Sequence, residues 1–290
     1  MRFLGTLSVL CFVFFPTALL SQEWRLEGDL VLASAYEWRG LRLDPGANLQ
    51  YSAYGSAAWD RLRLTAGAWS LTDLSSDPST GLSQRWGAET SPWIEAALGD
   101  VRSQLFLGTV GYFLEDPETG SPLRRKDTWE VYVGGRGAFP RLPVLGEAVL
   151  FWDMARGGVG YAELAAALQI PLWVGSVVPL GSVFLEGRSG FSLGQTGDGP
   201  AAEAGGALSR EQGLSHVDVS LRTTLMPVPV GPLSVSFTLA SHWIRGLEAE
   251  TKRIGSRVGG PVDSSRWVWV LGARLLLPRC RPEKELCRDL

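Results

Sequence analysis

Ionisable side chains fall at every second position through long stretches of this chain, and any chemistry it performs must start from that spacing. In residues 127–139, Glu130, Tyr132 and Arg136 share one parity; in 144–155, Glu147, Phe151 and Asp153 do; in 159–170, Tyr161, Glu163 and Gln169 do. Successive side chains of a β-strand point to opposite sheet faces, so each set lies on one face of its strand. A turn centred near Leu142 sets Arg136 opposite Glu147 and Glu130 opposite Asp153, and a turn at Gly157–Gly158 sets Asp153 opposite Glu163. Directly opposed residues have Cβ atoms ~5 Å apart. The expectation is a carboxylate row of Glu130, Asp153 and Glu163, compensated by a cation or an arginine, with Arg39 facing it from the first strand. In a pore such a row selects small ions by its field. In a closed wall the same row is an inter-strand network that stiffens the sheet and passes nothing.

A second constellation involves the chain's two histidines. A turn centred near Pro229 sets His216 opposite His242, with Asp218 on the same face. Two imidazoles and a carboxylate suit a divalent metal or a pH-sensitive latch. Hydrolytic chemistry is not expected. Ser215–His216 and Ser241–His242 are neighbours in sequence, so within a strand each pair points to opposite faces, and no Gly-x-Ser-x-Gly elbow occurs. No cofactor is expected either.

The elements that must position these groups can be counted. Twelve alternating segments run over about 24–39, 47–58, 61–71, 86–98, 101–113, 127–139, 144–155, 159–170, 178–193, 214–225, 231–245 and 265–277. Segment 214–225 shows the alternation well: Val217, Val219, Leu221 and Leu225 interleave with His216, Asp218, Ser220, Arg222 and Thr224. The charged parity carries further groups on the other segments, among them Arg63, Glu95, Glu186, Arg188 and Arg274, while the opposite parity is rich in Leu, Val, Ala and Trp. Short connections follow the even-numbered segments. Long polar ones follow the third, fifth, ninth and eleventh. An even strand number with short turns at one end and long loops at the other describes an outer-membrane barrel. Tryptophans such as Trp24, Trp59, Trp129, Trp152, Trp173, Trp243 and Trp267 gather near segment ends, as interface girdles do.

Composition agrees. The 290 residues include 35 Gly, 12 Trp, 3 Cys and 2 His, with a formal net charge of −3. Apolar content of 45% excludes a disordered chain, and three cysteines cannot staple so long a sequence. The acidic balance and the absence of a basic block argue against nucleic acid as a partner. Residues 1–21 read as a cleaved export signal: one Arg, an apolar run from Phe3 to Phe15, then Pro16 and small residues. Residues 22–278 form the barrel. Residues 279–290 form a polar periplasmic tail in which Cys280 and Cys287 are expected to pair in an oxidising compartment. The closing run WVWVLGARLLL places Gly272, Leu275 and Leu277 at the spacing of a signal for the barrel-assembly machinery.

Ser34, Tyr36, Arg39 and Gly40, followed by Gly67 and Trp69, resemble the opening strands of a bacterial outer-membrane family, the TorF-type porins. The central stretch resembles it too, at Glu130, Tyr132, Asp153, Tyr161 and Glu163. The resemblance covers about half of the mature chain, and the Cys-bearing tail and an Ala-rich eighth strand depart from it. It implies an outer-membrane barrel whose partners are lipid and small solutes or ions. The fold class expected is therefore all-β: a single 12-stranded antiparallel transmembrane β-barrel after a signal peptide. Its expected role is a porin-like channel with a charged lumen. The alternatives are a structural or loop-binding barrel with a plugged lumen and a lipid-modifying enzyme.

Overall fold

The computed structural model describes residues 23–38, 41–44, 46–74, 88–100, 102–115, 128–139, 142–154, 159–174, 178–195, 213–230, 233–246 and 265–277. The export signal, Arg39, Gly40, the tail and its two cysteines lie outside them. Fifteen strands are present among the described residues: β1 (Glu23–Ala33), β2 (Tyr36–Trp38), β3 (Leu41–Asp44), β4 (Asn48–Trp59), β5 (Leu62–Asp73), β6 (Ala88–Gly99), β7 (Ser103–Glu115), β8 (Thr128–Ala138), β9 (Val144–Asp153), β10 (Val159–Val174), β11 (Val178–Gln195), β12 (Gly213–Leu225), β13 (Val228–Val230), β14 (Leu233–Gly246) and β15 (Ser265–Leu276).

Twelve of these make one closed antiparallel barrel. The ring runs β12-β11-β10-β9-β8-β7-β6-β5-β4-β1-β15-β14, and β14 returns to β12 to close it. Both termini of the ring therefore meet: Asp29 of β1 pairs with Arg274 of β15. Closure leaves no free sheet edge among these strands, which is what a sheet surrounded by lipid requires. The 12 expected segments and the 12 barrel strands agree to within a few residues at most ends.

Three departures have local causes. The first expected segment, 24–39, breaks at Ser34. There the Ser34 N–H donates to the Trp269 carbonyl (2.9 Å) and the Trp269 N–H donates to Ser34 Oγ (3.0 Å), which is the last link to β15. Beyond it β2 and β3 pair only with each other. Ala35 packs against Ile244 and Val268, and the Tyr36 ring lies 5.5 Å from that of Trp69. The chain thus turns into the loop end of the barrel instead of continuing its wall. Second, β10 runs on to Val174 through Pro171. Its pairing with β9 stops at Leu168, whereas that with β11 continues, so the proline, which has no N–H, sits where β10 has only one paired neighbour. Third, β13 prolongs the pairing with β14 beyond the expected turn.

The short turns are tightly specified. Between β6 and β7 the Asp100 carboxylate accepts hydrogen bonds from the Arg102 N–H (2.8 Å) and the Ser103 N–H (3.0 Å). Gly99, at φ 132°, leaves room that a Cβ would lose to the Ser103 carbonyl. The two backbone donors hold the Asp100 carboxyl below its ordinary range. A depressed folded-state value stabilises the fold above the ordinary carboxyl range and ceases to do so as pH falls through the folded value. Asp100→Ala is expected to flatten that part of the acid dependence of unfolding, read by urea titration at a series of pH values below about 5.

Candidate functional site

The inward face is identified by convergence. Side chains from β5, β7, β8, β9, β11, β12 and β14, including Arg63, Gln104, Arg136, Glu147, Arg188, Asp218, Arg222 and His242, line one cavity of about 650 Å³ inside the ring. The registers carry this parity round the wall: Arg136 opposes Glu147, Arg188 opposes Asp218, and Thr65 opposes Glu95. The charged parity of the sequence is therefore lumenal. The other parity carries Leu30, Leu32, Leu107, Val133, Leu164, Leu221, Leu239 and Leu271, all exposed on the outer face.

Inside, arginine and carboxylate meet along the wall. Arg136 Nη2 donates to Glu95 (2.7 Å) and its Nε to Gln104 (2.9 Å), while its guanidinium lies over the Phe106 ring at 4.8 Å. Arg188 pairs with Glu163 at 3.1 Å. Arg222 pairs with Glu186, with Nε to Oε1 at 2.9 Å, and stacks over Phe184. Across β1 and β15, Arg274 Nε donates to Asp29 (2.6 Å), and Tyr54 Oη donates to Glu27 (2.7 Å). Each of these pairs is charge-assisted, and all but Arg188–Glu163 have the shorter distances typical of that class.

Aromatic side chains also line this wall. Phe106, Tyr132, Phe151, Tyr161 and His216 form a ladder across β7 to β12, with successive ring centroids 5.6–6.3 Å apart. Glycines make this possible. Phe106 covers Gly134, and Tyr132 covers Gly108. Gly190 lies between Tyr161 and His216, whose side chains meet at 3.4 Å (Tyr161 Oη to Nδ1) over β11. A side chain on any of these glycines would occupy the volume of a ring.

The structure brings some expected groups together and separates others. Glu130 opposes Asp153, as expected, and both are buried; Tyr112 Oη donates to Glu130 at 3.2 Å. Arg136 opposes Glu147, also as expected, yet its guanidinium turns the other way to Glu95 on β6. Glu163 does not oppose Asp153. Asp153 faces Val159, and Glu163 faces Val149 and Gly190. The β9–β10 pairing is centred on position 156, two residues before the centre that the expected pairing of Asp153 with Glu163 requires. The continuous carboxylate row is thereby broken: Glu163 joins Arg188, and Tyr161 Oη lies 3.5 Å from it.

The histidine pairing is also corrected. His216 opposes Gly246 and Gly190, whereas His242 opposes Ser220. The Val-Pro-Val run of β13 stays extended and pairs with β14, and the β12–β14 register moves by four from the one centred on Pro229. His242 Nδ1 instead meets Asp218 Oδ2 at 3.2 Å. Among the described residues no group of three His, Cys, Asp or Glu is placed to hold a metal. The lumenal groups that sequence reasoning did not single out as site residues include the partners Glu95, Glu186, Arg188 and Arg222 and the cavity-lining Arg63. Their signal was the shared parity, but which carboxylate each arginine would choose depends on its neighbours on both sides.

No family of known proteins matches the sequence, and no curated protein does. Several solved structures share its outline. An outer membrane channel from Pseudomonas putida F1 is 11% identical with a TM-score of 0.43, over 89% of this chain and 96% of that one. The translocator domain of autotransporter NalP from Neisseria meningitidis is 8% identical with a TM-score of 0.40, over 93% and 94%. A bacterial polysaccharide outer membrane secretin is 8% identical with a TM-score of 0.39, over 88% and 98%. Likeness at this level says nothing of substrate or activity.

Proposed function

We propose that the chain is a barrel of the bacterial outer membrane that passes small polar or charged solutes through its lumen. One observation carries this reading: a closed sheet presents leucine and valine outward all round and holds its charged pairs and a cavity of about 650 Å³ inside. In water that arrangement would expose the apolar face and bury the ions, which reverses what solvation favours. In a bilayer it satisfies both solvents. Outward tryptophans lie near both ends of the strands, with Trp129, Trp152 and Trp267 towards the loops and Trp24 and Trp59 towards the turns, which supports two interfacial belts. Gly272 and Leu275 keep the spacing read as an assembly signal, Leu275 being exposed on the outer face.

Passage would proceed from the mouth, narrowed by Ala35, Tyr36 and Trp69, to the cavity lined by arginines. There a solute exchanges part of its hydration for fixed donors. Twelve strands place the lumen between barrels filled by side chains and open channels of 16–18 strands, so the solute must be small. The test is conductance of the purified, refolded chain in planar bilayers. Discrete conductance steps are expected. A folded barrel that inserts and carries no current would leave the structural reading, in which the wall-bound ion pairs only stiffen the sheet.

A further inference from the structure

The ion pairs of the lumen share a polarity that neither the sequence nor the net charge discloses. In each, the carboxylate is held against the wall and the guanidinium faces the water. The Arg188 side chain is 48% exposed and its Glu163 partner 14%; Arg136 is 38% and Glu95 12%; Arg222 is 37% and Glu186 25%. The same order holds for Arg274 with Asp29 across the lumen. At the mouth, where carboxylates were expected to set the field, Glu130 and Asp153 are buried at 2% and 7%.

We infer that the wet surface of this lumen is cationic and that the channel prefers small anions bearing carboxylate or phosphate groups. The inference rests on the channel reading above and adds the sign and chemical class of the solute. The three exposed guanidiniums of Arg136, Arg188 and Arg222 line one cavity together with Arg63, four arginines against the three carboxylates of Glu147, Glu186 and Asp218. The Arg63 side chain makes no ion pair or hydrogen bond with any described residue. A passing ion feels the nearer charge of each dipole more than the farther one, because Coulomb energy falls with distance and water screens what lies behind. Guanidinium offers N–H groups in a planar fork, which matches the oxygens of carboxylate and phosphate. Arg136, which lines the cavity, uses its Nε and Nη2 on Gln104 and Glu95, and neither bond engages Nη1.

The experiment uses the full mature chain in planar bilayers under a potassium chloride gradient, read as a reversal potential. A chloride preference of severalfold over potassium is expected, and millimolar inorganic phosphate is expected to reduce the chloride current by competing for the same donors. A channel that conducts with potassium preference or none overturns the inference while leaving the channel reading intact. A barrel that inserts without conducting overturns both. The wild-type measurement decides the sign without any variant. The paired substitution Arg188→Gln with Glu163→Gln removes one outward guanidinium without orphaning its carboxylate, and is expected to lower the chloride preference and weaken the phosphate effect. An unchanged reversal potential and phosphate effect in that variant would remove Arg188 from the assignment.

Discussion

Replacing Leu271 by arginine is expected to destabilise the folded barrel in a lipid bilayer by ~2–4 kcal/mol, the range for a cationic side chain near the midplane of a lipid-facing strand. Leu271 lies mid-strand in β15, between Leu32 of β1 and Leu239 of β14, and all three side chains are exposed on the outer face. An arginine there would have no inner partner to reach and would have to extend to an interface or draw water to itself. The contrast is with a barrel standing in water, where an exposed leucine exchanged for arginine changes stability by no more than about 0.5 kcal/mol. Urea titration of refolding into vesicles, wild type against Leu271→Arg, separates these cases. A near-zero difference would contradict the lipid assignment of the outer face. Arg274, three residues on, supplies the control for face. Its guanidinium already sits inside with Asp29, so arginine itself is tolerated in this strand when it points inward.

Gly190→Ala is expected to cost ~1–3 kcal/mol, the usual price of overpacking a filled interior. A Cβ at this position would overlap Tyr161 Oη and come within 2.6 Å of His216 Nδ1. Both rings are buried and stacked on each other. Tyr161 is 2% exposed and packs on Phe151, and His216 is 4% exposed. The change is small, but it falls where three strands share one volume. A double variant tests the cause. Tyr161→Phe removes the overlapping hydroxyl, so part of the Gly190→Ala penalty should disappear in the Tyr161→Phe background. An additive pair would place the cost elsewhere, in the backbone of β11.

The same region shows how far alternation carries and where it stops. Strand existence, strand number and the division into two faces were legible because period two is a local property of each segment. Leu221 and Arg222 disclose their opposite directions with no knowledge of the neighbours. Register was legible only where the sequence showed the centre of the turn, since the β8–β9 and β9–β10 connections are both five residues long. The β8–β9 connection fixed Glu130 against Asp153 and Arg136 against Glu147 as expected. The five-residue β9–β10 connection did not, and a four-residue error there separated Glu163 from Asp153. The histidine pair failed for the same reason: the Pro-Val run after β12 does not show where an extended chain ends and a turn begins.

What the sequence by itself determined is the 12 strands and the division of each into a charged and an apolar face, since both follow from side-chain direction along single strands. What only the tertiary structure decided is who pairs with whom across three or four strands. Arg136 lies opposite Glu147 but bonds Glu95, because a long guanidinium reaches either neighbour and takes the one whose partner residues, Gln104 and Phe106, complete its surroundings. Closure also decided which end of each pair meets water. A curved wall crowds carboxylates on short stems against the backbone and leaves the longer arginine heads towards the axis, an asymmetry that appears only once the sheet is bent into a ring.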